Sequence, residues 1–365
     1  MNTGRRLSLS VVLLSLAATV AAQADRADEF IKAEMQRQKI PGLSLVVLKN
    51  GQVVKSAGYG WASTKLKIAA TPETVYKIAS ASKQFIAAGV MLLAQDGRLG
   101  VDDLVSKYLE GTPATWSRIT IRHLLTHTSG LVREAPGFDP SKVQPDAAVI
   151  KTAYPLPLRF APGEKWEYSN TGYFALAEII RTVSGRPWSE YLRDRVFMPA
   201  GMRATRTTVS ITSEKVPNMA QGYVDNNAHR DAPFWPAIRP SGAFLSTVLD
   251  LAKWDAALYT NDILTESTRR QMWTPVTLND GTTYNYGFGW MFTRVKGHRL
   301  VHHSGGMPGF RSDIARFLDE GLTVIVLMNL DDVDIEPIVN GLAGVYLPAR
   351  VLASPRHRAV PMRAK

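Results

Sequence analysis

VYKIASASKQFIAAGVMLLAQDG, Val75 to Gly97, is the stretch on which the reading of this chain turns. Its second half is apolar and helix-like, and Gly97 is placed to close it as a C-cap. Lys83 stands one turn inside that run. A charged amine is costly to bury unless it is paired or given a task. The plain reading puts Lys83 on the wet face of the helix. The chemical reading lets it activate Ser80, three residues earlier. A serine hydroxyl is a weak nucleophile and needs a base, and residues i and i+3 share one face of a helix. A serine opening the helix also meets free N–H groups, which favour developing negative charge. Chance yields about one Ser-x-x-Lys in a chain of this size at ordinary residue usage, and this chain has one, at Ser80.

The surrounding sequence predicts an α+β fold. ADEFIKAEMQRQK reads as an amphipathic helix ended by Pro41 and Gly42. LSLVVLKNGQVVKSAGYG alternates around Asn50-Gly51, a strong hairpin signal. From about 101 to 219 the chain looks helical and loop-rich. There RHLLTHTSG reads as one helix closed by Gly130, and TGYFALAEIIRTVSG as another closed by Gly185. PSGAFLSTVLDLAKWDAALY is helix-like. YNYGFGWMFTRV, HRLVHHSGG, FRSDIARFL and LTVIVLMNL then read as strands, and DIEPIVNGLAGVYL as a closing helix. Strands near both chain ends, with helices between, predict one antiparallel sheet flanked by helices, with the helical block as an inserted lobe. A cleft between lobes is a common place for a site.

Two further segments carry candidate chemistry. In WEYSNTGY, Tyr168 follows Pro162 and Gly163 in a loop and precedes a helix. A phenol beside a lysine ammonium would have a lowered pKa and serve as general base. The other Tyr-x-Asn, at Tyr259, reads as a helix terminus. In LVHHSGGMPGF, His303, Ser304 and Gly305 end a predicted strand. Gly305 and Gly306 let backbone approach a ligand, and the Gly306 N–H is a candidate oxyanion donor. His302 alternates with His303 and is expected on the other side of the sheet. His123 and His127 have an i, i+4 spacing that suits zinc, but Leu124 follows where a zinc protease carries glutamate. They are expected to pack or cap, and no metal or cofactor is expected. Gly-x-Ser-x-Gly is absent, which argues against the α/β-hydrolase elbow.

Ser80-x-x-Lys83, Tyr168-Ser169-Asn170 and His303-Ser304-Gly305 together resemble the serine β-lactamase and penicillin-binding-protein superfamily, in its class C-like branch that also holds esterases and D-amino-acid peptidases. RHLLTHTSGL, PSGAFLSTVLDLAKW, YGFGW and HHSGGMPGFRSD are similar to that family, in its order, over nearly the whole mature chain. The resemblance implies that Ser80 is acylated, that Lys83 and Tyr168 form the base system, and that Asn170 orients Lys83 or the substrate amide. It implies an oxyanion hole from the N–H groups of Ser80 and Gly306. The chain departs from the family at one point: many β-lactamases carry Lys-Thr-Gly or Lys-Ser-Gly where this chain has His303. A histidine is mostly neutral near pH 7. Strong β-lactamase activity is therefore in doubt, and an esterase or peptidase that acts on a small-molecule or peptide substrate is favoured. Carboxylate binding is expected to improve only as His303 protonates, unless a cation such as Arg311 replaces the lysine. The alternatives are a true β-lactamase or penicillin-binding carboxypeptidase, and a non-catalytic wall-fragment-binding module.

Composition sets the setting. At 365 residues, 45% hydrophobic and 21% charged, the chain is ordinary for a globular protein. Arg5, Arg6, the apolar run Leu7 to Val20 and the small residues of VAAQA read as a secretory signal peptide over residues 1–22, cleaved after Ala22 or Ala24. The mature chain, with its hydrolase domain over 23–346, has no integral membrane segment. Cysteine is absent, which excludes disulfides and thiolate chemistry and fits a bacterial periplasmic or secreted protein. The formal charge of +11 is largely a property of the ends: Arg5 and Arg6 lie in the signal, and Arg350, Arg356, Arg358, Arg363 and Lys365 lie in a basic tail expected to be disordered over 347–365. An envelope-anchoring role would rest on that tail alone. No nucleic-acid signature accompanies the charge, and no feature of the sequence sets an oligomeric state.

Overall fold

The computed structural model describes residues 23, 25–207, 216–233, 235, 239–242 and 244–347. The expected signal peptide, and the basic tail beyond Leu347, lie outside them. The helices are α1 (25–38), α2 (Lys83–Gln95), α3 (Ile121–Leu125), α4 (Asp146–Lys151), α5 (Asn170–Ser184), α6 (Trp188–Leu192), α7 (Val248–Ala257), α8 (Glu266–Met272) and α9 (Ile335–Tyr346). Strands β1 (Gly42–Lys49), β2 (Gln52–Ser63) and β3 (Ile68–Ala69) come from the front of the chain. Strands β4 (Met291–Val295), β5 (His298–Met307), β6 (Phe310–Phe317) and β7 (Leu322–Met328) come from the back. They form one seven-stranded antiparallel sheet in the order β4-β5-β6-β7-β1-β2-β3. The two ends of the chain meet where β1 pairs with β7, Leu45 opposite Val326.

Both faces of this sheet are covered, so its central strands are apolar nearly throughout. In β1, Leu43, Leu45 and Val47 enter the core under α1 and α9, while Val46 and Leu48 enter the core shared with α2. The β1–β2 hairpin turns at Asn50 and Gly51, whose φ values of 49° and 74° match the turn expected from Asn-Gly. The other face carries α2, α7 and α8. The helical lobe, α3 to α6 in the main, is inserted there, as the sequence predicts. No helix among the described residues is long and apolar enough to cross a membrane.

Three boundaries differ from the sequence reading. RHLLTHTSG does not run as one helix: α3 stops at Leu125, and His127 adopts φ 62°. The Thr126 hydroxyl donates to the Arg122 carbonyl, and the turn swings the His127 ring into an aromatic cluster with Tyr168, Tyr173 and Tyr286. In PSGAFLSTVLDLAKW, Phe244–Ser246 is a short strand, and α7 starts only after Thr247, whose side chain caps it by accepting the Asp250 N–H. YNYGFGW is broken by a turn, with Gly289 at φ 77°. A Cβ at Gly289 would lie 2.9 Å from the Lys83 carbonyl, so this turn is built directly against the start of α2. By contrast, α5 ends at Gly185 in the left-handed conformation expected of it.

Candidate active site

Ser80 does not open α2 itself. It lies in a 3-10 turn, Ala79–Ser82, one turn ahead of it. Side chains at i and i+3 eclipse in such a turn, and the Lys83 Nζ lies 3.3 Å from the Ser80 Oγ. Ala79 holds φ 47°, a conformation that costs a non-glycine residue about 1–2 kcal/mol. Its neighbours over-determine it: the Ile78 N–H donates to the Phe244 carbonyl at 3.0 Å, and the Ile78 carbonyl accepts from the Ser312 hydroxyl at 2.7 Å. The Ser82 hydroxyl accepts the Phe244 N–H. β5 runs past this turn at backbone distance. A Cβ at Gly305 would sit 2.1 Å from the Ile78 carbonyl and 3.0 Å from the Ser80 nitrogen, so only glycine fits.

Lys83 is fully buried. Its Nζ lies 2.8 Å from the Asn170 Oδ1 and 2.8 Å from the Ser241 carbonyl, in addition to Ser80. Burial first, then the charges of Arg239 and Arg133, hold its pKa well below the ordinary lysine value, with Glu134 opposing. A neutral amine has two protons and one lone pair. Two carbonyl oxygens take the protons, which leaves the lone pair for the Ser80 hydroxyl. Such an amine can draw a proton from that serine.

Tyr168 packs across the pair, with Lys83 Nζ 4.7 Å from its ring centroid. The expectation of a depressed phenol is corrected here. Burial pushes its pKa up to about 12, against its hydrogen bond with Ser80 and the charges of Arg133 and Arg239. Tyr168 is thus a phenol that can donate, and the free amine is the better base. Tyr259, the other Tyr-x-Asn tyrosine, is half-exposed just beyond the end of α7, under the Arg316 guanidinium.

Sequence reasoning missed Glu134, Arg239 and Ser241. The Asn170 amide donates from Nδ2 to Glu134, which fixes its Oδ1 toward Lys83. Arg239 clasps both Glu134 oxygens at 2.9 and 2.8 Å, and its Nε donates to the Ser241 Oγ at 3.0 Å. The Ser241 carbonyl returns to Lys83, closing a hydrogen-bonded ring through five side chains or backbones (Lys83, Asn170, Glu134, Arg239, Ser241). PSGAF contains Ser241, but nothing local marks Glu134 or Arg239 as its neighbours.

The structure brings His303, Gly305 and Gly306 to the same place from β5, with His303 2% exposed. Its pKa is pushed down to about 3 by burial and then by Lys83. His303 therefore stays neutral throughout the neutral range, which corrects the expectation that it gains a charge to bind carboxylates. The Ser304 side chain lines a groove on the opposite face with His302 and Asp313. At the site Ser304 offers its carbonyl, which accepts from His303 Nδ1 at 2.7 Å. The Arg311 guanidinium lies across Gly306 from the next strand. β4 pairs only as far as His302, so the outer edge of β5 from His303 to Met307 is open among the described residues. His302 faces away, toward Asp313, as expected. His123 caps α3 through a reciprocal bond with Thr120, and no group of three or more metal-ligating residues occurs among the described residues.

Residues 27–339 match the family described as Beta-lactamase. A penicillin-binding protein of Bacillus subtilis (strain 168) is 33% identical over 311 residues, covering 79% of this chain and 68% of that protein. The octameric penicillin-binding protein homologue from Pyrococcus abyssi superposes with a TM-score of 0.76 at 29% identity, over 88% of this chain and 77% of that one. The D-amino acid amidase from Ochrobactrum anthropi SV3, solved with L-phenylalanine, superposes with a TM-score of 0.73 at 25% identity, over 89% and 96%. The chain belongs to the β-lactamase and penicillin-binding-protein superfamily, and is a serine hydrolase of that β-lactamase-like kind.

Proposed function

We propose that this is an exported hydrolase that forms an acyl-enzyme on Ser80 and cleaves esters or amides, D-amino-acid derivatives among them. The buried Lys83 amine, with two carbonyl acceptors and Ser80 around it, is the observation that carries this reading. Lys83 takes the Ser80 proton as Oγ adds to the substrate carbonyl. The N–H groups of Ser80 and Gly306 hold the oxyanion. Tyr168 relays the proton to the departing amine or alcohol, and collapse leaves the acyl group on Ser80. Water, deprotonated by the same base, then releases the acid. The D-amino-acid substrate class is supported by the likeness to the amidase.

A second reading has one observation in its favour. Arg311 supplies a cation across Gly306 where the family lysine is missing, and this suits a substrate with a carboxylate, such as a β-lactam. Kinetics on nitrocefin and p-nitrophenyl butyrate separate the two. Nitrocefin turnover comparable with the ester, and lost in Arg311→Ala, would establish the second reading. For the first, a fluorophosphonate probe is expected to label Ser80, read by mass spectrometry. Ser80→Ala is expected to fold and to lose ester turnover; full activity in that variant would refute the assignment.

A further inference from the structure

His127 and Tyr286 belong to motif-like stretches, RHLLTHTSGL and YGFGW, that the chemistry above leaves unused. Both are buried, and Tyr286 stands between His127 and His303. The Ser169 N–H donates to the His127 Nδ1 at 3.1 Å. The His127 Nε2 lies 3.1 Å from the Tyr286 hydroxyl, and that hydroxyl lies 3.0 Å from the His303 Nε2. The chain ends where the His303 Nδ1 meets the Ser304 carbonyl.

The polarity of the two ends sets the tautomer of each ring between them. A backbone N–H only donates, so the His127 Nδ1 is bare and its proton sits on Nε2, toward Tyr286. A carbonyl only accepts, so His303 carries its proton on Nδ1 and turns a bare Nε2 to Tyr286. The Tyr286 hydroxyl accepts from one ring and donates to the other. Each link has one proton when both imidazoles are neutral. Burial, and the charge of Lys83 whenever it is protonated, push both rings toward the neutral form.

We infer that His127 and Tyr286 are positioning residues, which with His303 form a hydrogen-bonded strut tying the Tyr168 loop of the helical lobe to the edge of β5. Ser169, at one end, follows Tyr168 and caps α5. Ser304, at the other, precedes the two glycines that pass Ser80. The strut sets the spacing between proton donor and oxyanion donor across two separate parts of the fold. It also occupies both nitrogens of His303, so the third motif presents a neutral wall to the substrate. Its importance for catalysis rests on the site proposed above; its existence does not.

The test uses the intact enzyme, labelled with 15N at histidine. Two slowly exchanging imidazole protons are expected at neutral pH, on Nε2 of His127 and Nδ1 of His303. Tyr286→Phe keeps the ring and removes the hydroxyl. It is expected to disturb both signals and to lower kcat on p-nitrophenyl butyrate about tenfold to a hundredfold, the scale of a misplaced reacting group, with KM changed less than about threefold. A charged ring or reversed tautomers in the unsubstituted enzyme would overturn the inference. So would a Tyr286→Phe enzyme with lower stability but unaltered kcat and imidazole signals. If that variant does not fold, the tautomers of the unsubstituted enzyme decide. The spectra need no turnover, so a failed Ser80 label would leave this result readable.

Discussion

At the scale of single residues, Lys83, as the proposed base, is expected to set the pH behaviour. A base works only unprotonated, and the free-amine fraction rises with pH through the lysine pKa. Because that pKa is held well below 10.5, kcat/KM is expected to rise along an acid limb and to persist into alkaline solution, while Tyr168 keeps its proton to about 12. The ring partners move the limb in opposite directions. Glu134 favours the ammonium, so Glu134→Gln is expected to shift the limb to lower pH. Arg239 disfavours it, so Arg239→Gln is expected to shift it to higher pH. Shifts of the same sign, measured by pH–rate profiles, would show that the ring does not tune Lys83. Lys83→Ala and Tyr168→Phe are each expected to lose more than about a hundredfold in rate, the usual reach of general acid–base catalysis.

At the scale of elements, two close approaches decide how the parts pack. One is β5 against the Ser80 turn. Gly305→Ala places a methyl 2.1 Å from the Ile78 carbonyl, so either the turn or the strand must shift. Fluorophosphonate labelling of Ser80 is expected to slow at least about tenfold in a folded protein. Labelling at the unsubstituted rate would mean that the approach is slack. The other is α7 against the sheet. Arg316 of β6 meets Asp255 of α7 at 2.6 Å, with both side chains almost wholly buried, and the Thr323 hydroxyl donates to the same carboxylate oxygen. Asp255→Ala strands a buried guanidinium and is expected to cost about 3–5 kcal/mol in urea unfolding. A change under about 1 kcal/mol would show that Arg316 finds water or another partner.

At the scale of the whole molecule, the sheet joins the two ends of the chain and leaves the lobe as an insertion. The core between α9, α1 and β7 takes Ile338, Val339, Leu342 and Ala343 from α9. Truncation after Leu347 leaves that face complete and is expected to preserve both melting temperature and ester hydrolysis. Truncation after Leu330 removes α9, uncovers Val324, Val326 and Met328, and is expected to yield protein without a cooperative thermal transition by circular dichroism. A truncation after Leu347 that melts much lower would show that the tail docks on the body.

The hairpin at Asn50-Gly51, the cap at Gly185 and the strand-rich ends follow from local rules: left-handed backbone wants Asn or Gly, and a strand covered on both faces is apolar throughout. For the same reason the antiparallel sheet with its inserted lobe was legible from order alone, and the contact between Ser80 and Lys83 from a spacing of three. What failed locally was decided by partners far along the chain. His127 leaves its helix because Tyr286 and Ser169 hold its ring. Tyr168 keeps its proton, and His303 stays neutral, because the folded protein strips water from both. Glu134 and Arg239 reach Lys83 through a ring whose members lie 83 to 241 along the chain. A side chain's charge depends on the dielectric and the charges around it, and those neighbours exist only once the lobe has closed on the sheet.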